Sequence, residues 1–116
     1  MNAFSIGQVR PSELDAWLAT HAGADPVVLD VREPWELQTA SVAPAGFRLV
    51  GVPMNDIPAR LAELDPAQPV ACLCHHGARS QRVAMFLAQN GFENVVNIAG
   101  GIDAWSAQRD PTVPHY

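Results

Sequence analysis

The chain has 116 residues, 48% of them hydrophobic, which suits one folded domain and not a disordered segment. Its formal net charge of -5 argues against nucleic acid as a partner, and every basic residue is arginine, which excludes Schiff-base chemistry and a phosphate-loop lysine. The first residues carry no long apolar run, and no stretch nears the ~20 apolar residues of a membrane span, so neither a signal peptide nor a membrane partner is expected.

In chain order, Phe4–Ile6 reads as a short first strand. Ser12 with Asp15 resembles a capping box, and Leu14, Trp17 and Leu18 then share one helical face. Val27–Val31 is apolar except for Asp30, the pattern of a strand buried on both faces. Pro34 opens a short helix to Gln38. Ala40–Gly46, with Pro44, reads as loop, and Leu49–Val52 as a strand stopped by Pro53. Asp56 is placed to cap a helix with Pro58 in its first turn and Ile57, Leu61 and Leu64 on its inner face.

Val70–Leu73 is the next strand. Ser80–Asn90 then reads as a helix with Val83, Phe86, Leu87 and Asn90 on one side and Gly91 as its C-cap. Val95–Ile98 is the last strand, Gly101–Gln108 the last helix, and Asp110–Tyr116 an extended surface tail. Strand alternating with helix over residues 1–116 predicts a single α/β domain with a mainly parallel sheet covered on both faces.

Chemistry concentrates between Val70 and Ser80, in Val-Ala-Cys-Leu-Cys-His-His-Gly-Ala-Arg-Ser. A buried strand ends at Cys74, a tight turn follows, and a helix begins near Ser80. Amide groups in such a turn converge on one point, the helix adds its positive end, and an anion there is stabilised. Arg79, His75 and His76 are nearby cation candidates, so Cys74 is expected to react as a thiolate. A cysteine at a strand end is also commonly a small buried hydrophobe, and the residues alone leave both readings open. Cys72 and Cys74 lie two apart on one strand face, poorly placed to form a disulfide with each other. A reducing, cytoplasmic setting is expected.

Three segments together resemble rhodanese-like domains. Val28-Leu29-Asp30-Val31-Arg32-Glu33-Pro34-Trp35-Glu36 is similar to that family's first signature, Cys74 through Ser80 to its active loop, and Gly100-Gly101-Ile102-Asp103-Ala104-Trp105 to its closing motif. The resemblance implies a three-layer α/β/α fold with a five-stranded sheet. It also implies transfer of sulfane sulfur through a persulfide on Cys74, with no cofactor. The donor would be a small sulfur-containing anion such as thiosulfate, or a protein persulfide; the acceptor would be a thiol, cyanide or a protein. In the family, the loop Cys-x-x-x-x-Arg, as in Cys74–Arg79, serves a single extra sulfur. Related phosphatases and arsenate reductases have one more residue, which makes a wider cradle. The implied anion-binding loop comprises His75, His76, Gly77, Ala78, Arg79 and Ser80.

Two departures stand out. Thiosulfate-using members have an arginine where this chain has Glu36, and often a loop lysine where it has His76. Glu36 cannot pair with an anionic donor. Asp30 and Arg32 read as supporting residues, Asp30 bracing the cysteine loop and Arg32 pairing with Asp30 or Glu36, while Trp35 reads as pocket wall. Cys72 reads as a core thiol, with a resolving role as the alternative. Cys-Leu-Cys-His-His suits zinc or copper by ligand type, but the chain has no second cluster at zinc-like spacing, so no metal is expected. The whole expectation is of main-chain donors closed by Arg79 around a Cys74 sulfur that water can reach.

Overall fold

The alternating pattern is realised as a five-stranded sheet of order β1-β5-β4-β2-β3 in the computed structural model of the protein, which describes residues 5–116. The strands are β1 (Gly7–Val9), β2 (Val27–Asp30), β3 (Arg48–Gly51), β4 (Val70–Leu73) and β5 (Val95–Ile98). Every neighbouring pair is parallel. The helices are α1 (Leu14–Thr20), α2 (Pro34–Thr39), α3 (Ile57–Arg60), α4 (Ala78–Gln89) and α5 (Gly101–Gln108).

Strand alternation sorts the core into two halves. Val28, Ala71, Leu73 and Ile98 pack with Leu14 and Leu18 of α1 and with Ile102 and Trp105 of α5. Val27, Leu29, Val70, Cys72 and Cys74 face the other way, onto Ile57 of α3 and Val83, Ala84 and Leu87 of α4. The result is an α/β/α sandwich in which all four residues of β2 and of β4 are buried. β4 lies in the middle of the sheet, so its carboxyl end opens between the loops that follow β2 and β5.

Several local expectations are corrected. The first strand is Gly7–Val9, three residues on from the predicted Phe4–Ile6 and sharing none of it; Phe4 lies outside the described residues. The chain enters α1 through a 3-10 turn at Pro11–Glu13, and the Glu13 carboxylate, not Ser12 or Asp15, accepts the Arg10 backbone N–H at 2.9 Å. The helix expected after Asp56 is split: 3-10 turns at Met54–Asp56 and Leu61–Glu63 flank a single α-helical turn. The Asp56 side chain caps nothing there, and only Ile57 of the three inward residues is fully buried. Within the loop at 40–46, Ala40 and Val42 are core residues. The tail after Asp110 is not a simple extended surface segment: it turns at once, with the Val113 N–H donating to the Asp110 carbonyl at 3.2 Å, and Val113 is buried against the α1–α5 layer.

Candidate active site

Cys74 is the first residue beyond β4, and α5 shapes the turn that follows. Ile102 N–H donates to the Cys74 carbonyl at 2.8 Å and Asp103 N–H to the His75 carbonyl at 3.1 Å. Those carbonyls are thereby held toward α5. The fit needs Gly101, where any Cβ would run into the carbonyls of Cys74 and His75. Gly77 then turns the chain into α4 at φ +106°, a conformation natural to glycine, and a Cβ there would come within 3.2 Å of the Gly100 nitrogen.

With the backbone so bent, the Gly77 N–H donates to Cys74 Sγ at 3.0 Å and the Ser80 hydroxyl lies 3.2 Å from the same sulfur. Ser80 is itself fully buried and stands 2.5 Å from Asn97 Oδ1. The Asn97 amide donates to the Gly77 carbonyl at 3.1 Å and to Gln8 Oε1 at 3.0 Å, which ties the turn to β5 and β1. A sulfur anion here would face one main-chain donor, one hydroxyl and the positive end of α4.

The rim is built from other elements. Glu36 of α2 takes both ends of the Arg79 guanidinium, at 2.7 and 2.8 Å. The Tyr116 hydroxyl donates to Glu36 Oε2 at 2.6 Å and accepts from Arg32 at 3.1 Å. Arg79 above all, with help from Tyr116 and the Glu33 N–H, holds the Glu36 carboxyl down at about 2 against the cost of burial. Glu36 in turn pushes Arg79 upward. Burial keeps the Tyr116 phenol above its ordinary value, so it stays protonated and able to donate. Behind this rim, Arg32 is completely buried and forks onto Asp30 at 2.7 and 2.9 Å. The Tyr116 ring stacks on His75 at 4.0 Å, nearly parallel.

Comparison with known proteins places the fold in a family. A family model described as a rhodanese-like domain matches residues 11–108. The chain belongs to the rhodanese-like domain family. It is 39% identical over 93 residues to the chloroplastic rhodanese-like/PpiC domain-containing protein 12 of Arabidopsis thaliana, a match that spans 77% of this chain but only 30% of that protein. It is 34% identical over 89 residues to a sulfurtransferase of Allochromatium vinosum, covering 77% of this chain and 79% of the relative. Among solved structures, a rhodanese-related protein from Thermoplasma volcanium superimposes with a TM-score of 0.75 at 29% identity, over 95% of this chain and 99% of that one.

Of the residues singled out in the sequence, the turn brings Cys74, Gly77 and Ser80 together. Arg79 does not close the ring of donors; Glu36 holds it instead. Asp30 braces Arg32 and not the cysteine loop. His75 is sandwiched between His76 and Tyr116, with its Nε2 buried and unpartnered, whereas His76 and Ala78 sit on the exposed side of the turn. Trp35 is 62% exposed and touches the site only edge-on through Tyr116. Cys72 is fully buried in the core beside Leu29, Val70 and Val83, and burial pushes its thiol upward. Among the described residues, no three His, Cys, Asp or Glu gather as a metal set. No described helix is long and apolar enough to cross a membrane.

Two residues of the site escaped the sequence reading. Asn97 carried a usable signal, a polar side chain inside the apolar strand Val95–Ile98. Tyr116 carried none, because its place depends on how the tail folds back. A further departure concerns access: Cys74 is only 1% exposed, not open to water.

Proposed function

We propose that this rhodanese-like domain is a sulfurtransferase that carries sulfane sulfur on Cys74 as a persulfide, residues 1–116 acting as one unit. The reading rests on one observation above all: Sγ lies at the amino end of α4 with the Gly77 N–H and the Ser80 hydroxyl directed at it. The Cys74 thiolate attacks the outer sulfur of a donor, a new S–S bond forms, and the donor's own S–S bond breaks. With thiosulfate the leaving group is sulfite; with a thiol-borne persulfide it is the thiol. The terminal sulfur then passes to a thiol, cyanide or a protein acceptor, and the Cys74 thiolate returns. Gly77, Ser80 and the α4 terminus stabilise the sulfur anion at both stages, a preorganised electrostatic contribution. His75, His76, Ala78 and Arg79 shape the loop, while Asp30, Arg32, Glu36 and Trp35 support its rim. Two free cysteines suit a reducing compartment such as the cytoplasm.

A second reading, a sulfur relay fed by a protein partner with little free turnover, is favoured by Cys74 being 1% exposed and by Glu36 occupying Arg79. Either way the rim must open for a donor sulfur to reach bonding distance.

Mass spectrometry after treatment with a sulfur donor tests the proposal. One added sulfur is expected on Cys74, located by peptide fragmentation, and then lost to cyanide or a thiol. Cys74→Ser should abolish both loading and transfer. Transfer that survives in a clean preparation of that variant ends the mechanism.

A further inference from the structure

The rim poses a question that the sulfur cradle does not answer: which donors can enter. Two guanidiniums belong to the rim, both bonded to Glu36 or Tyr116. Arg32 is wholly buried and committed to Asp30, and Arg79 is bound at both ends by Glu36. An incoming dianion therefore meets an ionised carboxylate already seated on the nearest cation. Tyr116 secures that arrangement. Its hydroxyl donates to the Glu36 oxygen that also receives Arg79 Nη2, and its ring covers His75.

We propose that Tyr116 and Glu36 are specificity-determining residues that make the site select sulfur donors without an anionic head group, a persulfide borne on an uncharged thiol in preference to thiosulfate. The inference rests on the persulfide reading of Cys74 and narrows it to a donor class. A donor with an uncharged carrier group, protonated on its outer sulfur as it enters, has only to displace the phenol and its ring from His75. An anionic donor has in addition to lie beside Glu36 or to pull Arg79 from it, breaking two short charge-assisted hydrogen bonds. In the transfer itself, Cys74 thiolate attacks the outer sulfur of R–S–SH and forms Cys74–S–SH. The S–S bond of R–S–SH breaks and R–S⁻ leaves with the electron pair, so no external oxidant or reductant is needed.

Two alkylating agents with the same leaving group isolate the charge effect from turnover: iodoacetamide, which is neutral, and iodoacetate, which is anionic. The ratio of their rates at Cys74, with the site of modification confirmed by fragmentation, is compared with the ratio at a free thiol. In the native protein iodoacetate should be disfavoured by roughly tenfold beyond the free-thiol ratio, because Glu36 occupies both ends of the Arg79 guanidinium and leaves the anion no free cation to pair with. Glu36→Gln should remove most of that discrimination. Tyr116→Phe, which keeps the ring and loses only the hydroxyl, should relax it several-fold.

Sulfur loading from thiosulfate and from 2-mercaptoethanol persulfide should follow the same order, the ratio of kcat/KM values moving toward thiosulfate in both variants. Ratios unchanged from native in both variants overturn the selectivity. Ratios that shift while neither donor loads sulfur onto Cys74 overturn the sulfurtransferase reading instead.

Discussion

The two sides of the site are built by different means. The cradle around Cys74 Sγ is made of backbone: a turn bent by Gly77, carbonyls held by the first amides of α5, and one hydroxyl from α4. The rim is made of side chains brought from far apart in the chain, Glu36, Arg79 and Tyr116, joined by charge and one phenol. Backbone geometry is inherited with the fold, so the cradle can serve any sulfur that reaches it. A rim of side chains can change by single substitutions, so it decides which sulfur reaches it. Changes in the cradle should therefore slow every donor alike, and changes in the rim should alter donors unequally.

The severest way to break the cradle is Gly101→Ala. The new methyl would meet the Cys74 and His75 carbonyls, and Gly101 has φ +62°, in the left-handed region. Relief requires moving either α5 or the turn away from the other. A stability loss of roughly 3–5 kcal/mol is expected, the range of severe packing or backbone conflicts, with a Tm lower by on the order of 10 °C. Thermal unfolding measures the first part. The surviving folded protein should load sulfur poorly from every donor, with the donor ratio unchanged.

The contrast also explains what could be read from the residues alone. Strand and helix order, the two-sided burial of β2 and β4, and the Cys74–Ser80 turn were legible because each depends on local periodicity or on a short contiguous motif. Even the placement of Cys72 and Cys74 on one face follows from strand alternation. The rim was not legible in the same way. Glu36 was visible as a departure, but nothing local says that it binds Arg79, 43 residues away. Tyr116 lies 80 residues from Glu36 and follows a segment whose prolines suggest only extended chain. Asp56 failed as a cap for a related reason: Met54–Asp56 is already a 3-10 turn, whose hydrogen bonding makes a side-chain cap redundant.

Acid titration sharpens the comparison from the rim side. Glu36 is depressed from 4.5 to about 2, chiefly by Arg79. A depressed carboxylate stabilises the fold above its unfolded value and loses that contribution as pH falls through its folded value. At about 1.4 kcal/mol per unit, the contribution is at most about 3.5 kcal/mol, present at pH 5 and above and fading between about pH 4.5 and 2. Urea denaturation of the native protein and of Glu36→Gln should therefore show a gap that narrows steadily over that range. A gap constant with pH would mean that Glu36 does not draw its stability from ionisation, and the rim would lose its electrostatic character.

The smallest expected effect bears most directly on the division between cradle and rim. The Ser80 hydroxyl has one proton and three acceptors within reach: Asn97 Oδ1 at 2.5 Å, Cys74 Sγ at 3.2 Å and the Gly77 carbonyl at 3.3 Å. With Cys74 as a thiol, the short contact to Asn97 holds that proton; as a thiolate or persulfide anion, the sulfur competes for it. Ser80→Ala removes the choice and leaves the Gly77 N–H as the remaining local donor to Sγ. Hydrogen bonds to charged groups contribute about 1.5–3 kcal/mol, and sharing with Asn97 places this one near the lower end. Sulfur loading should then slow by roughly tenfold. Because the hydroxyl faces the sulfur and not the donor, thiosulfate and thiol-borne persulfides should slow by the same factor. If instead one donor slowed and the other did not, Ser80 would be reading the donor as well as the sulfur, and the cradle would not be the indifferent half of the site.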